Sequence, residues 1–372
     1  MKVPYLDFSE SHNRISDALG ARISKIFDHK RFVLGPEVKE LEESLADLIG
    51  VAHCVGCASG TDALVAALMS LDVGKGDEVI TSPFTYFASI EAILLVGAKP
   101  IFVDIDESFN IDPELIPAAI TKHTKVILPV SIFGKCIDLR KISEVAKTHE
   151  LSVIEDAAQS FGAKFDHQTN SCGLSSDIAC TSFYPTKPLG CYGDGGAIFC
   201  NDGEIESKLR QIISHGETSR NHHERLGFTG RLDSIQAAVL LEKLKFFDHE
   251  LSLRESVAQK YDQEFTKRDL PLKKAYRSGN PGEVMAWAQY AIRLESRDEL
   301  RSFLSERDVP TSVFYPLPAY KQAIYQSYYP NEINLSTSEK ACNEVLCLPF
   351  FPDMQADQIE FVVETISDFF GR

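Results

Sequence analysis

No uninterrupted apolar run in the sequence comes near the roughly 20 residues needed to cross a bilayer, and the longest stretches, such as the one around Ile93–Val96, are far shorter. A transmembrane helix is therefore not expected. The opening MKVPYLDFSE has no basic flank followed by a long apolar core, so no secretory signal is read there and a cytoplasmic location is expected. A basic tail or Lys/Arg block is also missing. The net charge is −16, which argues against nucleic acid or an anionic membrane surface as a general partner and makes any anion site a local one. Nor is there a disulfide framework, because the nine cysteines are odd in number and scattered through apparent strands and helices, as reduced thiols of an intracellular chain are. Cys54 and Cys57 have CxxC spacing, yet they fall on an apparent strand, where residues three apart face opposite sides, and no second CxxC or HExxH accompanies them. No metal site is expected. Internal repeats and low-complexity tracts are absent too.

What is present is a globular composition, 44% apolar and 25% charged, in a chain of 372 residues, long enough for a large domain and a smaller one. From about residue 53, short β-rich runs alternate with longer amphipathic stretches, the pattern of parallel strands joined by helical crossovers. Seven candidate strands follow: His53–Cys57, Glu78–Ser82, Pro100–Ile105, Val126–Ile132, Leu151–Glu155, Ile178–Ser182 and Gly196–Cys200. Most are apolar throughout, as strands buried on both faces are. Thr61–Leu71 and Ile137–His149 carry apolar residues at helical spacing, with Asp138 placed to cap the second. After Gln236 an amphipathic stretch runs through Ala238, Leu241, Leu244 and Phe247, and a domain boundary is placed near residue 250, giving domains 1–250 and 251–372. The second part has fewer strand runs, a loop-like segment over Arg277–Glu283 and the strings FYPLP and LPFFP, which read as a smaller α+β domain.

In open α/β sheets ligands settle beyond the carboxyl ends of strands. After the first strand, Ser59-Gly60-Thr61-Asp62 leads into a helix, supplying backbone N–H groups, a hydroxyl and a positive helix end for a phosphate; an ordinary helix cap explains the same residues. The strand ending at Glu155 is followed by Asp156 and then Gln159 in VIEDAAQSFGA, where a carboxylate can pair with a pyridinium nitrogen or simply cap a helix. In SFYPTKPLGCYGDGG, Lys187 stands between prolines in a glycine-rich turn, a poor setting for a routine surface charge. A lysine amine there suits a Schiff base with an aldehyde and, once released, proton transfer between adjacent carbons. Ser182 adds a hydroxyl at the strand end. The glycines do not form GxGxxG, so a dinucleotide fold is rejected.

The order SGTDAL, EDAAQSFGA, SFYPTKPLGCYGDGG and RLDSIQAA, with GPEV near Gly35 and the later FYPLP, resembles the DegT/StrS family of sugar aminotransferases. The resemblance implies a fold-type I pyridoxal-phosphate enzyme, with a mostly parallel seven-stranded sheet in the large domain and a smaller α+β carboxyl-terminal domain. It also implies a homodimer with sites at the subunit interface and an amino-acid donor, usually glutamate. By the same matching, Lys187 carries the cofactor, Asp156 faces its ring nitrogen, Gln159 its phenolic oxygen, and Gly60, Thr61 and Ser182 its phosphate. Tyr86, in SPFTYFAS, matches an aromatic that stacks on the ring, though a core tyrosine reads the same way. One departure is Thr229 in GFTGRLD, at the place of an asparagine that reaches the partner subunit's phosphate in the family; a threonine hydroxyl reaches less far.

The string RNHHERLGFTGR concentrates Arg220, His222, His223, Arg225 and Arg231 in an otherwise acidic chain, suited to a pyrophosphate or a sugar carboxylate, or else merely a solvated loop. The string is similar to family members that aminate UDP-2-acetamido-2-deoxy-3-oxo-glucuronic acid, on a route to bacterial surface polysaccharides such as lipopolysaccharide O-antigen. A nucleotide-linked 4-keto-6-deoxy sugar is the alternative acceptor, and a regulatory protein that kept the fold without catalysis is an alternative of another class. Tyr315 and Tyr320, in FYPLPAYKQ, match the region where the family's small domain approaches the sugar.

Overall fold

Seven short, mostly apolar strands make one sheet in the computed structural model, which describes residues 1–167, 170–173, 175–274, 281–330 and 332–371. They are β1 (His53–Cys57), β2 (Glu78–Thr81), β3 (Lys99–Phe102), β4 (Thr124–Leu128), β5 (Ser152–Asp156), β6 (Ile178–Ser182) and β7 (Gly196–Cys200), in the order β1-β7-β6-β5-β4-β2-β3. Pairing is parallel from β6 through β3, and β7 alone runs backwards between β6 and β1. The carboxyl ends of the other six strands therefore share one edge of the sheet.

Successive side chains of a strand face opposite sides, and here each side has its own apolar layer. Val79, Val126 and Ile154 pack with Leu64 and Leu68 of the helix Gly60–Ser70, whereas Ile80, Ile127 and Val153 pack with Leu139, Ile142 and Ala146 of the helix Leu139–Thr148. Cys54 and Cys57 obey the same alternation, lying in different layers, and all nine cysteines are free and buried. The helices Ser9–His29 and Pro36–Ile49 precede the sheet, the second opened by Gly35 and by Pro36 at its first turn.

Several expected elements shift by a residue or two at their ends, and three differ by more. The strand anticipated over Val126–Ile132 ends at Leu128, because Pro129 has no N–H to give the ladder and Ile132–Gly134 turns tightly, with Phe133 at φ 57°. The strand anticipated over Pro100–Ile105 ends at Phe102. The amphipathic stretch after Gln236 is two helices, Ser234–Leu244 and Phe247–Arg268, parted at Lys245 and Phe246; the break turns Phe247 onto Phe161, ring centroids 5.5 Å apart. Of the anticipated loop over Arg277–Glu283, residues 275–280 lie outside the described residues.

The later part of the chain packs the helix Phe247–Arg268 against the helix Ala356–Phe369 and builds a small antiparallel sheet from Lys273–Lys274, Tyr290–Arg293 and Val345–Leu348. Asp104 ties this part to the large sheet: its carboxylate accepts the N–H groups of Thr337 and Ser338, at 3.0 and 2.9 Å, at the start of the helix Ser336–Glu344. Among the described residues no helix is long and apolar enough to cross a membrane.

Candidate active site

A cavity of about 530 Å³ opens at the carboxyl edge of the sheet. Its walls bring together Gly60, Thr61, Tyr86, Asp156, Gln159, Ser182, Lys187 and Tyr315, which come from five separate stretches of sequence. The phosphate-like corner is built where β1 passes into the helix Gly60–Ser70. Ser59 caps that helix by accepting the N–H of Asp62 at 3.0 Å, so Gly60 and Thr61 occupy the first turn, whose N–H groups have no partner within the helix. Gly60 has to be glycine, since a Cβ there would lie 2.7 Å from the Cβ of Ser182. That close approach sets the Ser182 hydroxyl beside the helix start.

Asp156 ends β5 and is buried. One carboxylate oxygen accepts the hydroxyl of Ser89 at 2.7 Å and the other the N–H of Ala158 at 3.1 Å. Burial raises its pKa, while these two bonds and the Lys187 ammonium pull it down. Lys187 is the opposite case, its pKa lowered by burial and raised by Asp156. Both groups are thus held in a setting that disfavours their charges, and a cation placed against Asp156 would offset its desolvation. The lysine loop turns within itself, Lys187 N–H donating to the Tyr184 carbonyl at 2.9 Å and Cys191 N–H to that of Phe183 at 2.7 Å.

These residues fit pyridoxal phosphate: a helix start with a serine hydroxyl for the phosphate, a desolvated carboxylate for a protonated ring nitrogen, and a half-buried lysine amine for the aldehyde. Tyr86 lines the same cavity and is 62% exposed, so it is a wall residue and not a core tyrosine. Gln159 is buried; its side-chain oxygen accepts the Phe133 N–H at 2.9 Å, and its amide nitrogen donates to the Tyr315 hydroxyl at 3.0 Å.

Other expected residues stand elsewhere. Tyr320 is 1% exposed and packs with Ile90, Phe102 and Tyr325, its hydroxyl donating to Glu339 at 2.8 Å, so a fully packed ring replaces the expected approach to the sugar. Arg220, His222 and His223 are exposed on a hairpin formed by Glu217–Ser219 and His222–His223, apart from the cavity of their own chain. Arg225 donates to Gln211 at 2.7 Å and borders a different hollow beside the exposed Leu226. Arg231 is bridged through its backbone to Cys57 at the end of β1, and its buried Nε has no hydrogen-bond partner among the described residues. Thr229 meets Nε2 of His215 at 2.5 Å. Among the described residues that line the cavity, Lys187 is the only lysine or arginine.

Sequence reasoning passed over Ser89 and Thr85, whose hydroxyls lie 2.9 Å apart beside Asp156, and Tyr5, Leu6 and Gln289, which also line the cavity. Ser89 sits in the quoted string SPFTYFAS, and a second hydroxyl four residues beyond Thr85, in the same string as Tyr86, was the available signal.

Comparison with known proteins finds relatives along nearly the whole chain. The model of the DegT/DnrJ/EryC1/StrS aminotransferase family matches residues 13–367. The UDP-2-acetamido-2-deoxy-3-oxo-D-glucuronate aminotransferase of Pseudomonas aeruginosa is 44% identical over 371 residues, 98% of this chain and 100% of its own. A pleiotropic regulatory protein of Geobacillus stearothermophilus is 41% identical, covering 100% of this chain and 99% of its own. The crystal structure of S. venezuelae DesV in complex with a ketimine intermediate superposes with a TM-score of 0.94 at 35% identity, covering 100% of this chain and 99% of its own.

Proposed function

Because this chain belongs to the DegT/DnrJ/EryC1/StrS aminotransferase family and is a pyridoxal-phosphate-dependent sugar aminotransferase, we propose that its acceptor is UDP-2-acetamido-2-deoxy-3-oxo-glucuronic acid and its donor an amino acid, glutamate. The observation that carries this reading is the 44% identity, over nearly the whole of both chains, with the P. aeruginosa enzyme of that name. The product would feed bacterial surface polysaccharide synthesis, in the cytoplasm.

Charge balance supports a homodimer as the working unit. The cofactor phosphate, the pyrophosphate of the nucleotide and the uronic carboxylate are all anionic, while the lining of one chain's cavity offers Lys187 as its only lysine or arginine among the described residues. The exposed Arg220, His222 and His223, with Arg225 and Arg231, are the basic groups a second copy would bring, and Thr229 with His215 would reach the phosphate from there. A domain boundary near residue 250 goes with this reading.

The cavity residues matched to the family then have these tasks. When bound, the cofactor supplies the electron sink that lets a proton leave the carbon bearing the nitrogen. Asp156 keeps a positive charge on the ring nitrogen, and Gly60, Thr61 and Ser182 hold the phosphate. Tyr86 covers a ring face. Gln159 faces the phenolic oxygen, and Tyr315 borders the space for the sugar. Lys187 carries the cofactor and, once released by the donor, moves the proton with its amine.

A regulatory reading has one specific point in its favour, the name of the G. stearothermophilus relative. The half-buried Lys187, whose amine pKa is lowered by desolvation and raised by Asp156, weighs against a purely binding role, because a ligand module has no use for a desolvated lysine. The test runs the reaction in reverse, since keto sugars are short-lived. The purified, cofactor-loaded protein is offered UDP-linked 3-amino uronic acid or a nucleotide-linked 4-amino-6-deoxy sugar, each with 2-oxoglutarate, and glutamate is measured. Glutamate from the uronic acid is expected. Turnover of the 4-amino sugar alone would overturn the acceptor, and turnover of neither would favour the regulatory reading.

A further inference from the structure

We propose that Tyr315 is a positioning residue that acts on the cofactor through Gln159. The inference rests on the reading that Gln159 faces the phenolic oxygen of pyridoxal phosphate. It adds a role for Tyr315 beyond bordering the sugar.

A glutamine amide has one oxygen that accepts and one nitrogen that donates twice, and the two ends look alike in shape. Here the protein decides which is which. The Phe133 N–H can only donate, so the atom 2.9 Å from it is Oε1. Phe133 is itself fixed, its ring edge-on to Phe84 and Phe109 at 6.0 and 5.4 Å and its backbone at φ 57° next to Gly134. Nε2 is thereby turned toward the Tyr315 hydroxyl, which accepts one of its two N–H groups at 3.0 Å. The second N–H is available to a ligand in the cavity.

Tyr315 lies 156 residues further along the chain and lines the same cavity. Its ring is edge-on to Phe84 at 6.0 Å and tilted to Tyr86 at 6.4 Å, so the hydroxyl has little room to swing. Phe133 and Tyr315 therefore hold the two ends of the amide, and removal of the Tyr315 hydroxyl frees the end that carries the donors. The ionisable groups that face the Tyr315 hydroxyl are Asp156, Tyr86 and Cys347.

An N–H donated to the phenolic oxygen favours whichever form of the bound cofactor carries more negative charge there. Weakening that bond moves the pH midpoint of the visible absorbance of the substrate-free holoenzyme upward. Tyr315→Phe keeps the ring that packs on Phe84 and is expected to raise the midpoint by about half a pH unit, part of what one hydrogen bond is worth. Gln159→Leu should raise it further, and Tyr315→Phe added to Gln159→Leu should then change nothing. A midpoint unmoved by Tyr315→Phe, with only the KM for the sugar raised, would mean that Tyr315 touches the sugar alone and the proposal fails. So would an equal shift in the presence and absence of Gln159. If wild-type protein shows no visible band attached to Lys187, the cofactor reading itself fails, and that result is seen before any variant is made.

Discussion

The buried ammonium of Lys243 donates to the carbonyl oxygen of Gly190 at 2.7 Å, just beyond Lys187 in the same loop. Two helical turns earlier, on the same face, Gln236 holds Tyr192 by both its N–H and its carbonyl, at 2.9 and 3.3 Å. The Tyr192 ring lies 5.2 Å from the Lys243 nitrogen, a cation–π contact that helps offset the burial which lowers the lysine's pKa. One face of the helix Ser234–Leu244 thus grips the loop that carries Lys187 at two points.

Lys243→Met fills the same space without a donor and leaves the Gly190 carbonyl unsatisfied. It is expected to lower the unfolding free energy by about 2 kcal/mol, the worth of a buried hydrogen bond to a charged group, and to speed cofactor release. Urea unfolding and dialysis followed by absorbance measure the two effects. Unchanged values for both would show that the loop holds itself.

Ser89 stands behind Asp156 as Phe133 stands behind Gln159. Its hydroxyl opposes the rise that burial imposes on the carboxyl, so Ser89→Ala should raise that pKa further, by up to about one pH unit. A weaker acid is less ionised at low pH. The variant should therefore lose more kcat at pH 6 than at pH 8. A loss independent of pH would separate Ser89 from the ionisation of Asp156.

These supporting residues mark where the sequence stops being readable. Lys187, Asp156, Ser182 and Gly60 are legible because each follows an apolar run that ends in a turn signal, and a parallel sheet brings the ends of such runs to one edge. The reversed strand β7 is also consistent with local signals, since the loop 183–195 that joins it to β6 holds glycines and prolines and no crossover helix. Ser89 with Asp156, Tyr315 with Gln159 and Lys243 with Gly190 are contacts between residues 67, 156 and 53 positions apart, with no local pattern that announces them. Tyr320 misled for the same reason. A tyrosine beside prolines looks alike whether it lines a cavity or fills a core, and only packing against Ile90 and Phe102 tells the two apart.

Glu155, the neighbour of Asp156 on the other face of β5, gives the stability of the fold a pH dependence. It is fully buried and accepts from the Cys172 N–H at 2.8 Å and the Ser171 hydroxyl at 2.9 Å, yet burial pushes its pKa from 4.5 up to about 7. A carboxyl with a raised folded pKa binds a proton that the unfolded chain releases. Its stabilising share is complete below about 4.5 and is lost as the pH rises through about 7. The loss is on the order of 3 kcal/mol. Glu155→Gln should flatten the fall in unfolding free energy between pH 5 and 7.5 relative to wild type. A parallel fall in both proteins would assign it to other groups.

The basic hairpin provides the sharpest test of how charge is shared between two copies. Arg220 is exposed and remote from its own cavity, whereas Arg225 is anchored on Gln211, so truncating Arg225 also disturbs the packing beside Leu226. Arg220→Ala is the cleaner variant. If Arg220 meets the uronic carboxylate in a neighbouring copy's site, the variant should raise KM for the UDP-linked uronic acid by roughly fivefold, an exposed charge contact being worth about 1 kcal/mol, and leave KM for an uncharged analogue nearly unchanged. The gap between wild type and variant should also narrow as salt rises, because an exposed pair is screened beyond about 8–10 Å at physiological ionic strength. Equal losses for charged and uncharged sugars, or a gap indifferent to salt, would place Arg220 on a solvated loop and remove the carboxylate from the case for this acceptor.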